Sequence, residues 1–466
     1  MENARDHVAS GLHRGHAIGS RPSRTAGRAW ADRSGRWTTM GISGAERMLS
    51  GLLDGSHYAS MEQLPALVAQ HATGAGLHEA LIYLTDLQQN VLRLLPAKPE
   101  DEEARGESDE SWRKDAPAEI RIEGTLAGRA FQRSRGVSES TGEGAGRWWV
   151  PLLDGTERLG VLRITPELDD DEARDRMWSL ASLVAMLVAS KRDYSDSFAR
   201  LVRTRAMSVA AEMQWQVMPP LTFIGEEIAI GAVLEPAYEV GGDAFDYAID
   251  GDTVHLAVFD AMGHDTAAGL TANLAIATCR NQRRQGGTLL QKAEEIERAL
   301  IEQFAGNRYT TAIIAEFDLR TGELSLINRG HHPPVLIRGG RWNCELECPP
   351  GHPLGTDLGL ETIVCHEQLE PGDRLILYTD GITEARDASG REFGLERFVD
   401  FVIRHHADGL PVPETLRRLM HAVLDYHQGD LRDDATVLIA EWRGPAGRSP
   451  RTPLEHFEQR SPQAAT

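Results

Sequence analysis

Four aspartates in the second half of this 466-residue chain each stand beside a strand-like apolar run or a glycine turn. They are Asp243 in Val240-Gly241-Gly242-Asp243, Asp260 in Phe259-Asp260-Ala261-Met262-Gly263-His264, Asp380 in Leu377-Tyr378-Thr379-Asp380-Gly381, and Asp433 in Arg432-Asp433-Asp434-Ala435-Thr436. This placement constrains the fold more than any other feature. The run Arg374 to Thr379 is apolar for most of its length and then delivers one carboxylate where the chain turns at Gly381, so core strands aim charged tips at a shared edge. Carboxylates gathered there repel one another unless cations neutralise them. An all-oxygen donor set suits Mg2+ or Mn2+ rather than Zn2+. Two ions sharing a carboxylate lower the pKa of a bridging water and stabilise both the attacking and the leaving oxygen of a phosphoryl transfer. Taken singly, each segment is also what an ordinary turn looks like; the set of four is what points to chemistry.

The rest of the second half supplies a frame for such an edge. Thr253 to Asp260 reads as a buried strand, and a helix rich in small and apolar residues follows over Thr266 to Arg280. Thr288 can cap another helix, whose stripe runs Leu289, Ala293, Ile296, Leu300 and Phe304. Thr310 to Leu319 and Glu323 to Asn328 flank the turn Arg320-Thr321-Gly322, and Ala435 to Trp442 has the composition of a further strand. Sheet and helix in mixed order predict an antiparallel α/β sandwich. Two features stay open at this level. Gly241-Gly242 can cradle a phosphate through main-chain amides or simply give the chain room to turn. His331-His332 can touch substrate or metal, or shape a loop beside Pro333-Pro334. His405-His406 end a helical pattern and are expected at the surface, where a protonated histidine suits a helix C-terminus.

The segments Val240-Gly241-Gly242-Asp243, Asp260-Ala261-Met262-Gly263-His264, Asn328-Arg329-Gly330-His331-His332-Pro333-Pro334, Tyr378-Thr379-Asp380-Gly381-Ile382-Thr383-Glu384-Ala385 and Asp433-Asp434-Ala435-Thr436 recur in a known order. From about 221 to 445 the chain resembles the bacterial PPM/PP2C-like serine/threonine phosphatases of the SpoIIE and RsbU type, which form an α-β-β-α sandwich. The resemblance implies that Asp243 bridges two Mn2+ or Mg2+ ions and that Asp260, with the Ala261 carbonyl, binds metal. Asp380 and Asp433 would complete the site, with Asp434 open as the alternative to Asp433. Catalysis would rest on Asp243, Asp260 and Asp380. The family pattern has Phe-Tyr-Asp after Gly-Gly-Asp, where this chain has Ala244-Phe245-Asp246, and Asp265 replaces the usual glycine after the motif's histidine; all four ligand positions stay intact. The implied substrate is phosphoserine or phosphothreonine on an anti-anti-sigma factor of the STAS class in partner-switching signalling. A non-catalytic signalling module that keeps the fold is the alternative, but a binding module has no need to hold four carboxylates against their repulsion. No Walker-type loop supports nucleotide hydrolysis. In eukaryotic relatives a histidine two residues after the metal-binding aspartate can serve as general acid; Met262 stands there, and the nearest imidazole, His264, is open between that role and a structural one at the start of the next helix.

The first half is organised differently. Residues 1–45 are polar and aperiodic, with no pattern that buries a core, and are expected to be disordered, as is the Pro- and Arg-rich tail at 446–466; Met40 is an alternative start. Between 46 and 192 a helical run through Leu64, Leu67 and Val68 precedes a strand at Ala80 to Thr85. An acidic loop around Glu100 to Glu110 interrupts the pattern. Trp148 to Leu153 and Leu159 to Ile164 flank the turn Asp154-Gly155, and a final helix spans Glu172 to Lys191. The segment Val150-Pro151-Leu152-Leu153-Asp154-Gly155 followed by Leu159-Gly160-Val161-Leu162 is similar to the closing strands of GAF sensor domains, which implies a small α/β domain with an unknown small ligand. No cysteine occurs before Cys279, which excludes a thiol-linked bilin or a cysteine-ligated iron–sulfur cluster there.

Residues 193–220 read as a helical linker with apolar residues at Phe198, Val202, Ala206, Val209, Met213 and Val217, ended by Pro219-Pro220. It is placed to pass a conformational bias between the domains, and a homodimer contact through it competes with packing on its own chain. The formal charge of -21 argues against a general affinity for nucleic acid or anionic membrane. The longest apolar stretch, Leu180 to Ala189, is half of what a membrane span needs, and the N-terminus lacks the apolar core of a secretory signal, so a cytoplasmic location is expected. Cys344 and Cys348 have the spacing of a metal half-site but read more simply as two strand residues on one face.

Overall fold

The structure, a computed structural model, describes residues 43–97, 116–139, 146–239, 241–407, 410–427, 431 and 433–445. Most of the N-terminal extension, the acidic loop around Glu100 to Glu110 and the C-terminal tail therefore lie outside the described residues. The first helix begins slightly before the expected boundary at 46. Ser43 Oγ accepts from the Glu46 amide while the Glu46 carboxylate takes the Ser43 amide, a reciprocal cap that starts α1 (Gly44–Ser56).

After α1 come α2 (Leu64–Thr73), β1 (Leu77–Thr85), β2 (Val91–Leu94), β3 (Glu119–Arg121), α3 (Leu126–Arg133), β4 (Val137–Glu139), β5 (Arg147–Asp154), β6 (Glu157–Pro166) and α4 (Asp171–Arg192). The strands form one antiparallel sheet in the order β3-β2-β1-β6-β5-β4. Period-two alternation decides which face each side chain joins. In β1, Ile82 and Leu84 enter a core with Leu52 of α1, Val68 of α2 and Val184 of α4, whereas Leu81 and Tyr83 face Phe131 of α3. Each such side chain contributes about 1.5–3 kcal/mol on full burial, so the sheet is held from both faces.

The linker is not one helix. α5 (Asp196–Val202) and α6 (Val209–Val217) are separated by non-helical residues 203–208. The apolar spacing from Phe198 to Val217 had suggested an uninterrupted stripe; a fresh cap overrides it. Ser208 Oγ accepts from the Ala211 amide, and the Ser208 amide is given to the Tyr238 carbonyl. Val209 and Met213 consequently face outward, while Ala210, Ala211 and Gln214 are buried.

The second unit comprises β7 (Thr222–Ile224), β8 (Ile228–Glu235), β9 (Asp243–Asp250), β10 (Thr253–Ala261), α7 (Thr266–Arg284), α8 (Leu289–Phe304), β11 (Thr310–Asp318), β12 (Glu323–Arg329), β13 (Val335–Arg338), β14 (Trp342–Glu345), β15 (Cys365–Gln368), β16 (Arg374–Tyr378), α9 (Asp380–Thr383), α10 (Leu395–Ala407), α11 (Val412–Tyr426) and β17 (Ala435–Trp442). Two antiparallel sheets result, β15-β12-β11-β10-β9 and β14-β13-β16-β17-β8-β7. Leu375 and Leu377 of β16, with Leu438 and Ala440 of β17, face the other sheet. Their neighbours Ile376, Val437 and Ile439 face α10 and α11 through Phe398, Leu419 and Val423. α7 and α8 cover the outer face of the first sheet through Ile276 and Ile296, and the fold is an α-β-β-α sandwich.

Two expectations need correction. Cys344 and Cys348 are not a strand pair: β14 ends at Glu345, Cys344 is exposed, and Cys348 lies buried in a disulfide with Cys365. The histidines at the end of α10 are not free surface groups. The His405 ring stacks on Phe401 at 4.1 Å, and burial pushes the His406 pKa down rather than favouring the charged form.

Candidate active site

The two sheets bring the four aspartates to one edge. Asp243 is the first residue of β9 and stands directly opposite Asp260 near the end of β10. From the other sheet, β16 ends at Tyr378 and hands the chain to Asp380, and Asp433 and Asp434 immediately precede its neighbour β17. One threonine ties the sheets together there: the Thr379 hydroxyl donates to Asp243 Oδ2 at 2.5 Å across the sandwich and itself accepts the Thr436 amide of the neighbouring strand at 2.9 Å.

Asp433 and Asp434 separate by environment. The Asp434 carboxylate is buried and turned inward, accepting the Gly242 and Asp243 amides. Asp433 is exposed, and its charge acts on Asp260. The same geometry resolves the role of the paired glycines. A Cβ on Gly241 would lie 2.3 Å from Asp434 Oδ2, and one on Gly242 would lie 2.2 Å from the Ala261 carbonyl oxygen. The Gly242 amide is already given to Asp434, so close approach rather than a phosphate cradle explains why glycine stands there.

Electrostatics at this edge are uncompensated. Burial, followed by Asp434 and Asp260, holds the Asp243 carboxyl well above the usual carboxylate range. Burial with Asp380, Asp433 and Asp434 pushes Asp260 up to about 7, and burial pushes Asp434 up to about 6. Asp433 is also raised, chiefly by burial. Asp380 moves the other way because His332 Nε2 stands 4.0 Å from its carboxylate, and the same contact raises His332. Among the described residues no lysine or arginine pairs with Asp243, Asp260, Asp433 or Asp434. The carboxylates are neighbours rather than a closed shell: among the described residues no three His, Cys, Asp or Glu side chains already converge at metal-ligating range. Asp243 and Asp434 are instead turned toward Thr379 and the Gly242 amide.

His331 and His332 part company. His331 is buried, its Nε2 at 2.9 Å from the Tyr378 carbonyl and its Nδ1 at 2.7 Å from Thr311 Oγ1. Burial pushes its pKa down to about 4; the neutral ring donates from Nε2 and accepts at Nδ1. It is a brace between β11 and the end of β16. His332 is half-exposed, stacked on Tyr378 and directed at Asp380. His264 is exposed, and the helix after it is capped by Asp265, whose side chain accepts the Ala268 amide and pairs with Arg308. The charge of His264 acts on Asp433 and Asp434. A cavity of about 250 Å³ lined by Asp380, Glu384, Arg386, His427 and Asp433 opens beside the cluster.

Sequence reasoning missed the supporting groups. Thr379 and Thr436 lie inside quoted motifs; the Thr379 hydroxyl was the available signal, whereas Thr436 contributes its main-chain amide. Asp246, noted only as a departure, is buried in ion pairs with Arg280 and Arg283 and ties β9 to α7.

Residues 250–443 match the family model for stage II sporulation protein E, SpoIIE. That span contains Asp260, Asp380 and Asp433, and Asp243 lies just before it. These residues form a SpoIIE-type PP2C phosphatase domain. Over 285 residues, covering 59% of this chain and 83% of the relative, it is 21% identical to the phosphoserine phosphatase RsbU of Bacillus subtilis. To the phosphoserine phosphatase RsbP of the same organism it is 25% identical over 46% of this chain, which spans about half of that relative (53%). Among solved structures, the SiaA-PP2C domain of Pseudomonas aeruginosa is 22% identical over 55% of this chain and 99% of its own, with a TM-score of 0.42.

Proposed function

We propose that this chain hydrolyses phosphoserine or phosphothreonine on a partner protein, using two Mn2+ or Mg2+ ions held at the sandwich edge. The observation that carries this reading is the facing pair Asp243 and Asp260, joined from the other sheet by Asp380 and Asp433, with no lysine or arginine among the described residues paired to them and only the His332 ring beside Asp380. The donors fit a hard divalent cation: all are oxygens, and their repulsion is what bound cations would relieve. In this reading Asp243, Asp260 with the Ala261 carbonyl, Asp380 and Asp433 would hold the two ions, with Asp243 shared between them. The inward turn of Asp434 toward the Gly242 amide favours Asp433 as the ligand. Bound ions would supply Lewis acidity and an activated water for attack on phosphorus. The chain's own contribution is placement: Thr379 orients Asp243, Asp434 fixes the loop before it, and His331 braces Tyr378 just ahead of Asp380.

The substrate is proposed to be a phosphorylated STAS-type anti-anti-sigma protein, in keeping with the partner-switching resemblance and with the phosphoserine phosphatases among the relatives. The six-stranded N-terminal unit is proposed to be a GAF-like sensor for a small ligand, acting through the linker. Among the described residues no helix is long and apolar enough to cross a membrane, and we place the protein in the cytoplasm. Phosphate release from an aryl phosphate, and then from phosphorylated STAS proteins, tests the activity. Mn2+-dependent turnover is expected, abolished by chelation and by Asp243→Asn or Asp380→Asn in folded protein. Full turnover after exhaustive chelation would overturn it.

A further inference from the structure

The N-terminal sheet buries an arginine that has no partner among the described residues. Arg163 of β6 stands opposite Leu81 of β1 and Trp149 of β5. Period-two alternation puts it beside Val161, on the face that packs against Phe131 of α3. The residue is only 5% exposed. Its Nε is buried without a hydrogen-bond partner, and among the described residues no carboxylate pairs with its guanidinium. Two acids at the rim of this face are committed elsewhere. Glu79 accepts the Thr165 hydroxyl at 3.1 Å and pairs with Arg147 at 3.5 Å. Glu139 accepts Trp149 Nε1 at 3.2 Å and pairs with Arg147 at 3.7 Å. The Tyr83 hydroxyl donates to the Pro117 carbonyl at 3.1 Å. An arginine stays charged in a protein, and a charge buried without a partner costs far more than one that is paired and hydrogen-bonded.

We propose that Arg163 and Arg147 form a binding site for a small carboxylate on this face of the N-terminal sheet. The guanidinium fork matches the two oxygens of a carboxylate. Arg147 lies two residues from Trp149 on the same face, and its Nε is likewise buried without a hydrogen-bond partner. An anion held between the two arginines would offset the repulsion that Arg147 exerts on Arg163. Leu81, Tyr83, Trp149 and Val161 wall the site with apolar and aromatic surface, which suits an organic acid better than a bare inorganic ion. Glu79 and Glu139 at the rim repel a dianion such as phosphate more than a monoanion. Entry is from that rim, where the Arg147, Glu79 and Glu139 side chains keep 29%, 28% and 34% exposure. The site stands on these residues and not on the metal edge, and it deepens the reading of this unit as a sensor by naming the class of ligand.

Isothermal titration calorimetry of the full chain tests this with sodium acetate, sodium benzoate and sodium phosphate at matched ionic strength. Chelator in the buffer keeps the added anions from any metal at the catalytic edge. At least one of the two carboxylates should bind saturably, and phosphate more weakly. Arg163→Met should weaken the carboxylate about 10- to 150-fold, the range for losing a hydrogen bond to a charged group. Without ligand the same variant should melt no lower than the unaltered chain, because an unpaired buried charge has been removed. Arg147→Met, at the open rim, should also weaken binding and carries the test should Arg163→Met not fold. The site is overturned if neither carboxylate binds saturably, or if the folded arginine variants bind like the unaltered chain. Phosphate bound more tightly than both carboxylates overturns the ligand class. Carboxylate binding that leaves phosphoprotein turnover in Mn2+ unchanged upholds the site and removes the sensor role.

Discussion

At the residue scale, the site is a store of unfavourable charge. Asp260, with its pKa near 7, and Asp434, near 6, stand above the ordinary carboxylate value of 3.8. A carboxyl raised in the folded state binds its proton more tightly there than in the unfolded chain. The stability associated with it is therefore fully present below about pH 3.8 and lost as pH rises through about 7. Thermal melts in chelator between pH 5 and pH 8 should show this as a fall that Asp260→Asn reduces, so that the variant gains on the unaltered chain toward pH 8. Equal pH slopes for the two proteins would show that Asp260 is not strained. His264 carries a second prediction. Its ring is exposed and its charge reaches Asp433 and Asp434, while Asp265 alone caps the following helix. His264→Ala should therefore leave thermal stability nearly unchanged. If the ring protonates the leaving oxygen, turnover of phosphoprotein falls by about 10²- to 10⁴-fold while an aryl phosphate with a good leaving group is nearly spared. Equal, modest losses on both substrates would remove His264 from the proton path.

At the element scale, legibility followed burial periodicity. β10, β16 and β17 could be read because their side chains alternate between two apolar environments, and the stripe of α8 could be read because Leu289, Ala293, Ile296 and Leu300 share one buried face. The four aspartates were legible because each ends or begins such a strand. What could not be read depends on contacts between distant segments: the inward turn of Asp434 needs the Gly242 amide, Gln214 needs the Asp243 carbonyl, and the Cys348–Cys365 bond needs a loop closed in three dimensions. The linker failed for a related reason. Spacing alone cannot show that Ser208 is bonded to Tyr238 and restarts the helix. The failure has a consequence for self-association, since on α6 only Val209 and Met213 remain as large exposed apolar groups, four residues apart and on one face. If the chain pairs through its linker, Val209→Glu should shift its sedimentation toward the monomer mass without altering its melting temperature. An unchanged mass would place any pairing elsewhere.

At the scale of the whole molecule, the two units are joined by charge buried between them. Arg158 of β6 donates to Glu414 of α11 at 2.6 Å, and both side chains are almost wholly buried (1% and 0% exposed). Arg417 donates to Glu414 at 2.9 Å and also to Glu123 of the N-terminal unit, while Arg158 reaches Gln89 and the Pro413 carbonyl. Burial would raise the Glu414 carboxyl, but Arg417 and Arg158 outweigh it and hold it at about 2. Its contribution is accordingly present above about pH 4.5 and lost only as pH falls toward 2. α11 packs on β17, which starts just after Asp433 and Asp434, so this cluster is where the N-terminal unit meets the support of the catalytic edge. Taking one partner from a buried cluster leaves the others charged and uncompensated, which typically costs about 3–5 kcal/mol, whereas an exposed partner is worth about 0–1 kcal/mol. Glu414→Gln should therefore lower the urea midpoint sharply at pH 7 and split the unfolding of the two units into separate transitions. Arg418→Ala, which removes only the outer partner of the same carboxylate at 39% exposure, should leave a single transition close to that of the unaltered chain. Similar midpoints for all three proteins would mean that the apolar contacts of α11, and not this cluster, hold the N-terminal sheet against the phosphatase domain.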